Sequence, residues 1–193
     1  MLAGVSDVST QVDSSFPGLR GRLRDATAAA HRELDAQLSS FDLTVLTGYR
    51  RFLQASAGAL LPLESALEAA GVTFMFPDWP ERARSAAIAA DLGRLGSAAP
   101  SPVSVLPLTP GGLLGTMYVL EGSRLGAKFL LKEVAEAADP RISAATLYLR
   151  HGTGKRLWQS FLAKLESEAC DEVEVIAAAR MAFAAFEQAA DRA

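Results

Sequence analysis

The strongest constraint on the fold is a set of glycines inside a segment whose apolar residues otherwise recur at helical spacing. The segment extends from Thr109 to Ala138, and Gly115, Gly122 and Gly126 lie on nearly one face of it. Each interior glycine costs a helix roughly 1 kcal/mol relative to alanine. A helix with three such positions presents bare backbone to a close neighbour. That neighbour is either a tightly packed helix or a flat ligand, and the pattern alone leaves both open.

The composition of the chain favours an all-α protein. Half of the 193 residues are hydrophobic, alanine and leucine dominate, and β-branched residues are sparse. The length suits one domain with a substantial core. We therefore expect a single helical domain over residues 17–193, preceded by a disordered or frayed tail over residues 1–16.

Charge, cysteine content and hydropathy exclude several classes of protein. The formal net charge of -3 argues against a nucleic-acid surface, which needs an excess of basic residues. The single cysteine, Cys170, permits no internal disulfide and fits a reducing compartment. The N-terminus lacks the basic start and apolar core of a secretory signal, and no apolar run is long enough to span a membrane. These features predict a cytoplasmic protein without a membrane or nucleic-acid partner.

Local signals predict further helices along the chain. A helical pattern covers residues 18–38, Pro62 is expected to kink a second, longer helix, and Gly71 is expected to end it. Thr109 can cap the glycine-bearing helix and Ser143 a short later one. Two capping boxes are predicted, Asp78 with Glu81 and Asp171 with Glu174. Four aromatic residues of the late helices are expected in the core: Trp158, Phe161, Phe183 and Phe186.

The first predicted helix carries one of the two histidines of the chain. At about 100° per residue, Arg24, Thr27, His31 and Asp35 lie along one edge of its apolar stripe. His31 is therefore either a hydrogen-bonded surface residue or a ligand for something held against that edge. The other histidine, His151, precedes Gly152 at a helix end and is expected to be a surface residue.

Several enzyme chemistries lack the residues they need. The chain has no GxSxG elbow, no P-loop, no GxGxxG after a strand, no HExxH and no paired Glu-x-x-His. What remains is a histidine-bearing helix and a glycine-bearing helix with little polar chemistry of their own. A flat cofactor that brings its own reactivity and takes one axial nitrogen, such as heme, would suit this combination.

Two segments carry a resemblance to a known family. LRDATAAAHRELD, residues 23–35, resembles the proximal helix of heme oxygenases, and YVLEGSRLGAKFL, residues 118–130, resembles their distal helix. The order of helices is similar over nearly the whole chain after the tail, including the late KRLWQSFLAKLE segment. The likeness is greatest to the bacterial branch found with bacteriophytochromes.

The resemblance implies a helical bundle of the heme oxygenase type, with heme sandwiched between a proximal and a distal helix. It implies that His31 ligates the iron and that Arg24 and Lys155 bind the heme propionates. Gly122, Ser123 and Gly126 would form the distal, catalytic surface. The remaining expected heme contacts are Thr27 and Tyr118.

The implied reaction is oxidative cleavage of heme to biliverdin, CO and ferrous iron. Heme would be both substrate and cofactor, with O2 as oxidant and a reductase or ferredoxin as electron donor. A bacteriophytochrome is the implied recipient of biliverdin.

Three positions depart from the family pattern. Ala127 stands where the family often has a second consecutive glycine, and Gln159 where some relatives have another propionate-binding arginine. Ser123 occupies the position of an aspartate that organises distal water in animal members. A hydroxyl can hold water but does not accept hydrogen bonds as a carboxylate does. The alternatives are thus a heme-binding or heme-delivery protein on the same fold without turnover, and a purely structural bundle.

Overall fold

The computed structural model describes residues 18–98 and 100–193, and the regular structure in those ranges is helical throughout. The predicted tail over residues 1–16 lies outside the described residues. None of the helices in the described ranges is both long and apolar enough to cross a membrane. The helices are α1 (Leu19–Leu38), α2 (Leu46–Ala69), α3 (Val72–Met75), α4 (Trp79–Arg82), α5 (Ser85–Arg94), α6 (Pro110–Gly122), α7 (Arg124–Ala135), α8 (Pro140–Ala144), α9 (Leu147–Arg150), α10 (Leu157–Ser167) and α11 (Glu172–Asp191).

Helix α11 forms the centre of the bundle, and α1, α2 and α6 pack around it. Its buried face is rich in alanine, so neighbouring helices can approach closely. At one end, Arg22 of α1 pairs with Glu172, and at the other, Gln37 Nε2 donates to Asp191 Oδ1 over 2.8 Å. Helix α1 therefore runs parallel to α11.

Helix α6 also runs parallel to α11. At its start, Thr109 Oγ1 donates a hydrogen bond to Glu174 Oε2 over 2.9 Å, and six residues later Gly115 lies against Val175 and Ala178. The predicted cap is confirmed, since Thr109 Oγ1 accepts from Gly112 N over 3.0 Å. Helices α1 and α6 thus share a direction, which decides which of their residues face one another.

The glycine-bearing segment is two helices, and the prediction of one continuous helix was wrong. Helix α6 ends at Gly122, and α7 begins at Arg124, with Ser123 between them. At this break, buried side chains form hydrogen bonds with backbone groups that a continuous helix would pair with other backbone groups. Arg84 Nη2, for example, donates to the carbonyl oxygen of Leu120 over 2.9 Å.

The segment after Asp78 is likewise two short helices, α4 and α5, where one capped helix was predicted. Asp78 makes no cap, because its carboxylate bonds Arg82 Nε over 2.8 Å. Glu64 of α2 caps α5 from outside: it accepts from the amides of Arg84 and Ser85 over 2.8 and 2.9 Å. This long-range bond ends α4 and starts α5 in a way that no local pattern encodes.

The remaining local predictions had mixed outcomes. Pro62 lies within α2 without ending it, and Gly71 follows the helix with φ 76°, as expected. Ser143 lies inside α8, so it does not cap α9. Asp171 caps α11 by accepting from Val173 N, but the predicted box is incomplete because Glu174 bonds Thr109 instead.

Candidate functional site

Helices α1 and α6 meet at Thr27 and Tyr118, two of the residues predicted to contact the cofactor. Thr27 is buried, with its hydroxyl donating to Leu23 O over 2.7 Å, and Tyr118 is half-buried. Burial raises the pKa of Tyr118, while a hydrogen bond with Thr27 and the charge of Arg24 act in the opposite direction. Since the two helices are parallel, the residues one turn further on, His31 and Gly122, lie on the same side of this contact. The structure thus places His31 on α1 and Gly122 on α6 each one turn beyond the same contact.

His31 presents its imidazole at the surface of α1, with 61% of the side chain exposed. Nδ1 lies 3.6 Å from Asp35 Oδ2, one turn along the helix. The ring meets Phe183 of α11 edge to face, with 5.8 Å between the ring centroids. Asp35 and Phe183 therefore orient the ring while its other nitrogen remains available to a ligand.

The glycines of α6 and α7 separate into two groups with different neighbours. A Cβ on Gly115 would lie 2.9 Å from Ala178 Cβ and closer still to the carbonyl oxygen of Val175, so this glycine serves helix packing. A Cβ on Gly122 would meet only the Trp158 ring, at 3.8 Å, and one on Gly126 would meet nothing within 4 Å. The helix-packing interpretation is therefore correct for Gly115, whereas the ligand interpretation stays a prediction for Gly122 and Gly126.

Apolar side chains that are unusually exposed flank the open glycines. Leu125 is 51% exposed and Phe129 60%, both on α7 beside Gly126. Trp158 of α10 forms the adjoining wall, with its ring centroid 5.7 Å from that of Tyr118. The core prediction is confirmed for the other three late aromatic residues, whereas Trp158 is only half-buried. We call the surface formed by Gly122, Gly126, Leu125, Phe129 and Trp158 the slot. Leu125 and Trp158 also line a cavity together with His151.

The two cations predicted to bind propionates both lie at the surface. Arg24, with 75% of its side chain exposed, pairs with its neighbour Asp25 over 3.1 Å. Lys155, which precedes α10, pairs with Glu81 over 2.7 Å, and both side chains are about half exposed. These ion pairs are solvated and weak, so a carboxylate group of a ligand can replace Asp25 in one pair or Glu81 in the other.

A cluster of buried charges lies behind the break between α6 and α7. Five side chains form it, each nearly or fully buried: Glu64, Arg82, Arg84, Glu121 and Arg124. Glu121 accepts from Arg124 Nε over 3.0 Å and lies 3.3 Å from Arg82 Nη1. Arg124 also donates to the carbonyl oxygen of Arg82. No sequence pattern predicted this cluster as a whole, although the i, i+3 spacing of Glu121 and Arg124 was a signal for part of it.

His151 belongs to this cluster, and its assignment as a surface residue was wrong. It is half-buried, and Arg124 Nη1 lies 3.2 Å from its Nδ1. Burial, followed by the positive charges of Arg124, Arg84 and Lys155, lowers the pKa of His151 to about 4. The ring is therefore neutral at physiological pH, with Nδ1 as the acceptor. It lines a cavity of about 240 Å³ on the side of α7 next to Lys155 and Trp158.

Ser123 connects the buried cluster with the exposed slot. Its backbone stands at the surface between α6 and α7, next to Gly122. Its Oγ accepts from Arg84 Nη1 over 3.0 Å and donates to Leu120 O over 2.8 Å. Of the predicted site residues, this one has the most extensive connections to the interior.

Comparisons with known proteins show the family of this chain. A family model described as heme oxygenase matches residues 18–192. The chain is similar to heme oxygenase PigA of Pseudomonas aeruginosa, with 31% identity over 185 residues and 93% of each chain covered. Its fold is similar to that of the NO- and CO-bound heme oxygenase from Neisseria meningitidis, with a TM-score of 0.73 and 25% identity over 92% of this chain and 94% of that one. On the strength of the matched family model and the covered length, this chain belongs to the heme oxygenase family.

Proposed function

We propose that this protein cleaves heme oxidatively to biliverdin, CO and ferrous iron, using O2 and electrons from a reductase or ferredoxin. The observation that carries the proposal is that His31 on α1 and Gly122 on α6 each lie one turn beyond the contact between Thr27 and Tyr118, while Gly122 and Gly126 leave open space.

The residues around this slot fit heme. A large apolar ring needs exposed apolar side chains to cover it, and Leu125, Phe129 and Trp158 supply them. Close approach on one face needs positions without side chains, and space remains at Gly126 where a Cβ would lie. One imidazole with an oriented ring is what an axial iron ligand requires.

On the proximal side, His31 would hold the iron through Nε2. Asp35 lies nearest to Nδ1, so it favours the tautomer with a proton on that nitrogen. Phe183 packs edge to face against the ring and limits its rotation. Asp35 and Phe183 would therefore orient His31 and take no direct part in the reaction of heme.

On the distal side, Gly122 and Gly126 leave room for O2 and offer no side chain that competes for iron. When bound, heme supplies the iron that activates O2 and the porphyrin edge that is oxidised. The protein contributes position: α7 covers the slot with apolar residues that exclude water, while Ser123 places a hydroxyl at its margin.

Arg24 and Lys155 would orient heme by binding its two propionates. In the ligand-free protein each cation is held by a surface carboxylate, Asp25 and Glu81 respectively. A propionate that pairs with Lys155 would compete with Glu81. Replacing a surface carboxylate by a propionate changes the free energy little. Arg24 and Lys155 would therefore determine the orientation of bound heme more than its affinity.

One experiment separates turnover from binding alone. The heme complex is incubated in air with ascorbate or a reductase, with catalase present to remove free hydrogen peroxide, and the absorption spectrum is followed. We expect loss of the Soret band and growth of the broad red absorbance of biliverdin. A stable complex that gives no biliverdin would support the heme-delivery alternative, and no tight complex would support a structural bundle. If biliverdin forms, its transfer to a bacteriophytochrome apoprotein tests the proposed recipient.

Replacing His31 with alanine tests the proximal ligand. The side chain is largely exposed and alanine is a good helix former, so we expect wild-type helicity and thermal stability without heme. With heme, we expect an altered coordination spectrum and little biliverdin. The matched control is His151→Gln, which changes the other histidine and should leave the coordination spectrum unchanged. An unchanged heme spectrum and full biliverdin yield in His31→Ala would exclude His31 as the ligand.

A further inference from the structure

We propose that Arg84 is a positioning residue that turns the Ser123 hydroxyl into a hydrogen-bond donor for the distal side of bound heme. The inference rests on the proposed function, because it assigns a role at the same site. It concerns a residue of α4–α5, a part of the chain that contributes no other side chain to the slot.

Arg84 holds the break between α6 and α7 with two parallel hydrogen bonds. Its Nη1 donates to Ser123 Oγ over 3.0 Å, and its Nη2 donates to the carbonyl oxygen of Leu120 over 2.9 Å. The same carbonyl oxygen accepts the Ser123 hydroxyl proton over 2.8 Å. The guanidinium therefore bonds both ends of the internal Ser123–Leu120 hydrogen bond.

This arrangement lets the Ser123 hydroxyl turn to another hydrogen-bond acceptor at a low cost in free energy. A serine that simply bonded the carbonyl oxygen of its own helix would leave that oxygen unsatisfied whenever the hydroxyl turned away. Here the carbonyl oxygen of Leu120 keeps its bond from Arg84. Ser123 can therefore rotate its proton toward a ligand in the slot without exposing a buried acceptor.

The charge of Arg84 also favours donation by Ser123. A cation that donates to a hydroxyl oxygen withdraws electron density from it, which strengthens the bond that the hydroxyl itself donates. Arg84 is 3% exposed, and its backbone is held by Glu64, so the cation stays in place. Glu64 does not neutralise the guanidinium by a direct bond, since its carboxylate bonds the amides of Arg84 and Ser85 and the Ser85 hydroxyl.

The other two arginines of the buried cluster have different partners. Arg82 and Arg124 are both engaged by Glu121, and Arg124 also bonds the backbone and His151. Of these three guanidinium groups, the described contacts direct only that of Arg84 to Ser123.

A double-mutant cycle tests the proposal in the heme complex. The variants are Ser123→Ala, Arg84→Met and the two combined, and the measured quantity is the midpoint pH of the acid–alkaline spectral transition of ferric heme. A donor in the distal pocket stabilises the anionic form of the iron's distal ligand, so its loss raises the midpoint. We expect each single variant to raise it by about one pH unit, as for a hydrogen bond to a charged group. Arg84→Met should shift it much less when Ser123 is already replaced by alanine.

Two further variants separate positioning from stability and from net charge. Arg84→Lys keeps the charge but loses the two-pronged contact, so it should restore only part of the wild-type midpoint. Arg94→Met removes one positive charge from the other end of α5 and should leave the midpoint unchanged. Thermal unfolding without heme identifies any variant that fails to fold. If Arg84→Met is unstable, Arg84→Lys takes its place in the cycle, because it keeps the positive charge at this buried position.

The outcomes distinguish this inference from the proposed function. If Arg84→Met shifts the midpoint equally in the wild-type protein and in the Ser123→Ala variant, Arg84 acts by charge alone, and the positioning role would be wrong. No midpoint shift in Ser123→Ala would also overturn it. In both cases biliverdin formation by the wild-type protein would still support the proposed function. Failure of the wild-type protein to bind heme would overturn both.

Discussion

Arg24 is an exposed cation on α1, and its proposed role is to bind a heme propionate. It lies two turns before His31 on α1, about 10 Å along the helix axis, and its exposed guanidinium pairs only with the neighbouring Asp25 among its described contacts. A propionate at this distance from the iron would meet a mobile, solvated cation. Such a contact selects one orientation of heme more than it adds affinity.

Arg24→Glu should therefore change the biliverdin isomer ratio more than it changes folding. We expect unchanged thermal unfolding without heme, a loss of heme affinity of a few fold and a shifted isomer ratio, because the pair is exposed and screened by salt. Chromatography of the product and heme titration measure the two effects. Arg32→Glu makes the same charge change on another side of α1 and serves as the control. Wild-type isomer ratio and affinity in Arg24→Glu would show that Arg24 is a solvated surface charge.

At the scale of elements, α6 and α7 form one sequence motif with two structural tasks. The α6 part packs against α11 through Gly115, where an added Cβ has no space. The α7 part turns its glycine to the slot, and its only buried residue is Val134. The break at Ser123 separates the two tasks, because it allows α7 to leave the direction that the α6–α11 contact imposes on α6.

A matched pair of glycine substitutions tests this division. Gly122→Leu fills the slot, so we expect biliverdin formation to be largely lost, while heme-free protein melts at or above the wild-type temperature because leucine is the better helix former. Gly115→Ala should lower the free energy of unfolding by about 1–3 kcal/mol, as overpacking does, and leave the heme site intact if the protein folds. Thermal unfolding without heme and biliverdin yield are measured for both. A clearly lowered melting temperature with retained turnover in Gly122→Leu would mean that Gly122 packs against protein.

At the scale of the whole molecule, the buried charge cluster couples stability to pH. The pKa of His151 is about 4 in the folded protein, below the value of about 6.5 for a free histidine. Between these values the unfolded chain binds the proton and the folded chain does not. This residue therefore makes stability fall as pH decreases from about 6.5 to 4. Above that window its contribution does not change.

His151→Gln should flatten that part of the stability profile. We expect the variant to lose less stability than the wild-type protein between pH 7 and pH 4.5, since glutamine does not titrate and can still accept from Arg124. Urea unfolding at a series of pH values measures the difference. Carboxylates titrate in both proteins, so only the difference between the two profiles reports on His151. Identical profiles would mean that the ring is protonated equally in both states.

The sequence by itself determined the helical class and the position of most helices. Periodic apolar residues and the cap at Thr109 are local signals that survive in any compact helical fold. The resemblance of two short motifs supplied the pairing of α1 with the distal helix. Their roles toward heme remain predictions that the variants above test.

Only the tertiary structure decided what lies behind the slot. Arg84 and Ser123 are 39 positions apart, and Glu64 and Arg84 are 20 apart, so their bonds depend on how the helices pack. The same holds for the break at Ser123 and for the division of the glycines. A glycine in a local pattern shows only that a side chain is missing. Whether another part of the chain fills that space or leaves it open depends on how the helices pack.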